Sequence, residues 1–152
     1  REWRSRTVDQ LKPALCKNKA NILVGFSKSG LGALNIAIEN PSLFHSVIIF
    51  DAPLTHRILP PWNTSPFYSQ SEWENDLPEN RLEEVRKLSL NTKIIHVGGA
   101  SFPQDHVEFD RMLEEHGIER HFQPRPTLAH SWESGWVREA VEMAATSKAL
   151  RS

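Results

Sequence analysis

A single cysteine, Cys16, stands in a chain of 152 residues, which excludes a disulfide framework and any cysteine-rich zinc site. It lies in the short amphipathic stretch Leu11-Lys-Pro-Ala-Leu-Cys-Lys with no His or Asp beside it, and reads as a structural thiol. No apolar run approaches the roughly 18 residues that a membrane span needs. Neither sign of charge dominates: 18 basic residues face 19 acidic ones, so no global field draws nucleic acid or an anionic lipid surface. Nothing resembles a secretory leader, which fits a reducing compartment and an expected cytoplasmic location. His45, His56, His106, His116 and His121 lack the spacing of metal ligands, so neither metal nor cofactor is expected. These exclusions leave a small-molecule site as the place to look for function.

What the chain does have is an alternation of apolar segments. Asn21-Ile-Leu-Val-Gly-Phe26, Ser46-Val-Ile-Ile-Phe-Asp51 and Asn91-Thr-Lys-Ile-Ile-His-Val97 are short apolar runs that predict strands buried on both faces, with a weaker fourth at 119–123. Between them, helical spacing recurs over 6–18, at Leu31, Leu34, Ala37 and Ile38, at Leu82, Val85 and Leu88, and over 136–149. Asp105-His-Val-Glu108 has the form of a capping box opening a helix through Phe109, Met112 and Leu113 to a C-cap at Gly117. Residues 54–78 break the pattern with Pro60, Pro61, Pro66 and Pro78 among Trp62, Phe67, Tyr68 and Trp73. A loop of that length is usually functional or disordered, and its aromatic content argues against disorder. The expected class is α/β: a parallel sheet with helices on both faces, in one domain covering 1–152.

Gly25-Phe-Ser-Lys-Ser-Gly30 falls where the first strand ends and a helix begins. A nucleophile carried on such a tight turn needs small neighbours. Gly25 provides one two residues before Ser27, and Ser29 stands two after it, where strict G-x-S-x-G has Gly. The turn aims Ser27 at a helix N-terminus, where backbone N–H groups favour an oxyanion, and the N–H of Lys28 is the candidate donor. A phosphate-binding loop would need Lys then Ser or Thr after Gly30, where Leu31 and Gly32 stand. A dinucleotide fingerprint from Gly30 would need Gly or Ala at position 35, where the chain has Asn35.

A serine hydroxyl needs a base. His130 follows the fourth strand and precedes the last helix, in Leu128-Ala-His-Ser-Trp132. For the acid, Asp105 is the first carboxylate in the loop after the third strand and is the first choice, although a helix N-cap would also select Asp. Asp51, at the end of the second strand, is the alternative. His96 ends a strand and is placed to line a pocket, and Trp132 and Trp136 flank His130 as anchors of its loop.

Ile22-Leu-Val-Gly-Phe-Ser-Lys-Ser-Gly, Asn40-Pro-Ser-Leu-Phe with the strand to Asp51, the Gly98 loop and His130-Ser-Trp-Glu-Ser-Gly-Trp136 together resemble the α/β-hydrolase superfamily, in particular its esterase-like branch. The resemblance implies a catalytic triad of Ser27, Asp105 and His130 acting through an acyl-enzyme on a small-molecule acyl substrate. It also implies a partial α/β-hydrolase fold holding the equivalents of strands 5 to 8. Many members place the acid near the position of Ser101, which cannot serve, and some carry it one strand earlier, at the position of Asp51. In this placement residues 54–78 correspond to a cap or lid insertion, with Trp62, Phe67, Tyr68 and Trp73 as an apolar substrate pocket. The strand at 21–26 becomes an exposed edge, to be covered by a missing N-terminal segment or a second subunit. The expected activity is that of a serine esterase of carboxylesterase type. The alternative is a non-catalytic binding or scaffold module of the same fold.

Overall fold

The computed structural model describes residues 2–17, 19–61 and 68–146. The apolar runs form four parallel strands, β1 (Ile22–Phe26), β2 (Ser46–Phe50), β3 (Lys93–Gly98) and β4 (His121–Pro124), in the spatial order β1-β2-β3-β4. Each consecutive pair is joined through at least one helix, as parallel neighbours require. β2 and β3 are central, and every residue in them is buried. That is why their sequences are apolar and β-branched rather than alternating.

The helices are α1 (Glu2–Leu11), α2 (Lys28–Glu39), α3 (Gln70–Asp76), α4 (Leu82–Ser89), α5 (Pro103–Glu115) and α6 (Val137–Ala145). Strand alternation divides the core. Val47 and Ile49 of β2 and Ile94 of β3 face a cluster built with α1, α2, α4 and α5, while Ile48, Phe50, Ile95 and Val97 face α6 through Ala140 and Ala144. Helices therefore lie on both faces, as the alternation predicted.

Several elements differ from the sequence reading. The first helix begins at Glu2 and gives way to a short 3-10 turn at Lys12–Ala14, where Pro13 removes a backbone donor. The fifth helix begins at Pro103, so Asp105 sits inside its first turn and makes no N-cap bond. Within 54–78 the chain forms α3, opened by a capping box in which the Ser69 hydroxyl and the Glu72 carboxylate each bind the other's backbone N–H. Beneath α3 lies a buried polar network. Arg4 is 1% exposed and donates to Asp76 at 2.7 Å, while Asn35 donates to the Leu31 and Asp76 carbonyls, both at 3.0 Å. Tyr68 donates its hydroxyl to the same Asp76 carboxylate, and Arg81 donates to the Asn35 oxygen. These bonds fasten α1, α2 and α3 together, and satisfy groups that would be costly to bury alone.

Candidate active site

The C-terminal ends of the strands bring Ser27, Asp51 and His130 together. Ser27 leaves β1 with its backbone N–H on the Phe50 carbonyl at 2.8 Å and turns straight into α2. It does so at φ 57° and ψ −132°, a conformation that L side chains avoid. Strain of this kind costs on the order of 1–3 kcal/mol and persists only where the surroundings enforce it. The requirement for a small residue at position 25 is steric: a Cβ there would lie 2.1 Å from the Ser29 carbonyl oxygen.

Ser27 Oγ lies 2.9 Å from His130 Nε2, and His130 Nδ1 lies 2.7 Å from Asp51 Oδ2. Asp51 follows β2 with φ 39° and is fully buried. Its carboxylate accepts three backbone N–H groups from the loop after β3: Oδ1 those of Gly99 at 3.1 Å and Phe102 at 2.9 Å, Oδ2 that of Ser101 at 3.2 Å. Buried charge is tolerable because those dipoles and the imidazole satisfy it. A Cβ on Gly99 would stand 2.0 Å from the Trp136 ring and 3.0 Å from Asp51 Cγ, so this loop can approach the carboxylate only as glycine.

Asp105, the first choice for the acid, is engaged elsewhere. Its Oδ1 accepts the Thr55 N–H at 3.0 Å, the Thr55 hydroxyl at 3.2 Å and a bond with His56 Nδ1 at 3.0 Å. The reason is its place in the first turn of α5, which faces the loop leaving β2 rather than the loop carrying His130. The carboxylate beside His130 is that of Asp51, the alternative.

Residues 5–143 match the model of a family described as putative esterase. The chain belongs to this esterase family. No curated protein matches it by sequence. Among solved structures, it is similar to the fluorophosphonate-binding serine hydrolase F of Staphylococcus aureus, with TM-score 0.71 and 16% identity over 94% of this chain and 62% of that one. It is also similar to the S-formylglutathione hydrolase of Staphylococcus aureus, with TM-score 0.63 and 17% identity over 90% of this chain and 55% of that one. A ferulic acid esterase gives TM-score 0.57 and 16% identity over 84% of this chain and 52% of that one. At such identities the likeness is one of fold. The chain spans less than two thirds of the length of each of these neighbours, and its fold is correspondingly part of an esterase-like α/β-hydrolase.

Around the histidine of this esterase-family chain, the Phe26 ring lies 4.6 Å and the Phe102 ring 5.7 Å from the His130 ring. Trp136, 2% exposed, donates its indole N–H to the Ala129 and Ser131 carbonyls at 3.1 and 2.9 Å. These two bonds clasp the backbone on either side of His130, so Trp136 anchors the loop. Trp132 rests half-exposed against Phe26, with ring centroids 4.9 Å apart.

Two of the four residues expected to form a substrate pocket, Tyr68 and Trp73, lie among the described residues. Trp73 is 1% exposed in the main core and donates its indole N–H to the His56 carbonyl, so it is a packing residue with no face open to a substrate. Tyr68 is half-buried with the Lys28 ammonium 5.4 Å above its ring, and burial followed by the Asp76 contact drives its phenol above the usual range. Burial also lowers the Lys28 ammonium below the ordinary lysine value. Trp62 and Phe67 lie outside the described residues. His96 faces α5 and is completely buried, so it lines no opening. Among the described residues no cluster of three His, Cys, Asp or Glu side chains is arranged to hold a metal, and no helix is long and apolar enough to cross a membrane.

Proposed function

We propose that this esterase-family chain carries the catalytic centre of a serine hydrolase that cleaves carboxylic esters or related small acyl compounds, with Ser27, His130 and Asp51 as its triad. The observation that carries the reading is the unbroken run Ser27 Oγ–His130 Nε2 and His130 Nδ1–Asp51 Oδ2 at 2.9 and 2.7 Å. Ser27 Oγ attacks the substrate carbonyl carbon as His130 Nε2 takes its proton. Asp51 holds the tautomer with the proton on Nδ1 and stabilises the imidazolium that forms. His130 then delivers the proton to the departing alkoxide, leaving an acyl-Ser27 ester that water hydrolyses by the same steps in reverse roles. The Lys28 N–H, in the first turn of α2, serves as an oxyanion donor, where a preorganised dipole is worth about 10²–10³ in rate.

The strained Ser27 backbone supports the reading, since such strain concentrates at reacting groups. Because β1 is an edge of the sheet and the structural neighbours are longer, the proposed enzyme includes a covering segment or second subunit at β1. Residues 54–78, containing α3, serve as its cap.

Reaction with a fluorophosphonate probe tests the proposal. Covalent label is expected on Ser27, read by peptide mass, and is expected to vanish in Ser27→Ala. Absence of label on Ser27 in the folded protein would favour the non-catalytic scaffold instead. Label that survives in Ser27→Ala would move the nucleophile to another residue.

A further inference from the structure

The proposed mechanism leaves two buried histidines unused. His96 on β3 is 0% exposed and His106 on α5 is 0% exposed, and such groups are rarely buried without a defined bonding role. They stack at 5.3 Å with Nδ1 facing Nδ1 at 3.1 Å. Behind them the His96 ring lies flat on Phe122 of β4 at 4.6 Å and edge-on to Phe109 at 4.9 Å. The charged groups that face the pair are Asp110, whose Oδ1 is 3.4 Å from His96 Nε2, and Arg120, which donates to Asp110 at 2.8 Å.

The bonds fix both tautomers. The Ala52 backbone N–H donates to His106 Nε2 at 2.9 Å, so that nitrogen carries no proton. Burial, followed by the neighbouring His96, drives His106 well below the usual histidine value. The ring is therefore neutral, with its proton on Nδ1. That proton points at His96 Nδ1, which must accept it, and the His96 proton is thereby placed on Nε2, toward Asp110. The result is a one-directional run of bonds from Ala52 to His106 to His96, with the Asp110–Arg120 pair beside the far side of the His96 ring.

We propose that His106, oriented by His96, is a positioning residue for Asp51, the acid of the proposed triad; the inference rests on that reading of the site. Asp51 is held at φ 39°, a region uncommon for residues other than glycine. Its own N–H is on the Val97 carbonyl at 2.9 Å, and the next N–H along, that of Ala52, ends on His106. Ala52 also touches the nucleophile's helix, since a Cβ on Gly30 would fall 2.8 Å from Ala52 Cβ. The bond to His106 thus fixes the peptide that sets the spacing between Asp51 and the Ser27 turn. A backbone N–H would ordinarily end on a carbonyl; ending on an imidazole, it is held by a side chain that α5 supplies.

Three variants and three spectroscopic measurements test the proposal. His106→Leu keeps the volume and removes the acceptor. Normalised to active sites titrated with a fluorophosphonate, its kcat for an activated aryl ester is expected to fall about tenfold to a hundredfold with KM within about twofold, as a displaced catalytic group produces. His106→Gln, whose amide oxygen reaches the place of Nε2, is expected to restore most of the loss, and His96→Leu to fall between the two. In the imidazole nitrogen spectra of the wild type, His106 is expected as the Nδ1–H tautomer and His96 as Nε2–H. In His106→Leu the Ala52 amide is expected to exchange faster, and the downfield proton shared by His130 and Asp51 to broaden or shift. Folded His106→Leu with unchanged kcat, an unaltered His130–Asp51 proton, or opposite tautomers would overturn the proposal. Failure of the hydrolase reading itself is distinguishable: wild-type protein would then take no label on Ser27, while the tautomers, amide exchange and His130 proton still judge the positioning role.

Discussion

Exchange of each candidate acid for its amide separates them, because the two carboxylates have different partners. In Asp51→Asn the amide oxygen is expected at the Oδ1 place, where it keeps the Gly99 and Phe102 donors at 3.1 and 2.9 Å. The amide nitrogen then occupies the Oδ2 place, 2.7 Å from His130 Nδ1 and 3.2 Å from the Ser101 N–H. It can only donate to Nδ1, which forces the ring proton onto Nε2, the atom that faces Ser27 Oγ at 2.9 Å. A protonated Nε2 cannot accept the serine proton. The wrong tautomer is worth about 10⁴ in kcat, about 5.5 kcal/mol of barrier, while the Ser101 N–H left facing a donor costs about 1–3 kcal/mol of stability. Asp105→Asn retains an oxygen for the Thr55 N–H and hydroxyl and loses only the charge that His56 and those donors face. Its kcat is expected within about tenfold of wild type, with a stability loss of about 1–2 kcal/mol. Turnover of an activated aryl ester, normalised by fluorophosphonate titration, together with urea unfolding, reads both quantities. The reasoning is refuted if Asp105→Asn abolishes turnover while Asp51→Asn leaves it within tenfold.

Burial lowers the proton affinity of His96 and His106 in the folded state. The unfolded chain protonates both near pH 6.5, so their contribution is fully present above that pH and is lost as pH falls below it. The loss is up to about 1.4 kcal/mol per pH unit for each ring that stays neutral, and a urea midpoint that does not fall between about pH 7.5 and about pH 5.5 contradicts this. Gly99→Ala would place a methyl 2.0 Å from the Trp136 ring and 3.0 Å from Asp51 Cγ. Overpacking of this kind costs about 1–3 kcal/mol, and here is expected with a fall in the rate of Ser27 labelling; unchanged labelling would show the loop shifting freely. Asp76→Ala removes the acceptor shared by Arg4, 1% exposed, and Tyr68, and is expected to cost about 3–5 kcal/mol in urea unfolding, whereas a loss below about 1 kcal/mol would mean that Glu39 alone suffices for Arg4.

The central strands were legible because burial on both faces leaves a local trace: β2 and β3 are continuous apolar runs with helical spacing on either side. The turn at Ser27 was legible for a related reason, since an apolar strand ending in Gly-x-Ser and running into an apolar helix marks a tight strand-to-helix junction. Helix boundaries were missed where the deciding signal was present and outweighed. Pro103, favoured in the first turn of a helix, marks the start of α5 better than Asp105 does. Ser69-Gln-Ser-Glu72 is a capping box lost among the surrounding prolines. Nothing local marked Trp73 as core rather than pocket, because that depends on which elements α3 meets.

Asp51 stood second to Asp105 in the sequence because its place beside His130 is a property of two loops at once. The carboxylate comes from the loop after β2, but the dipoles that hold it come from the loop after β3, where Gly99, Ser101 and Phe102 contribute only backbone. A loop that supplies N–H groups alone leaves almost no trace in side-chain identity; its one trace is Gly99, which carries no Cβ because Asp51 and Trp136 occupy that space. Asp105 satisfied every local criterion, being the first carboxylate after β3, and the structure gives it related work one step removed. With His106 it clamps the N–H groups of Thr55 and Ala52, and these belong to the loop that begins at Asp51. The first turn of α5 therefore holds the loop that begins at Asp51, and the residues just before that turn hold the Asp51 carboxylate. Both loops meet near His130, and only the spatial pairing separates Asp51, 2.7 Å from His130 Nδ1, from Asp105, which binds Thr55 and His56.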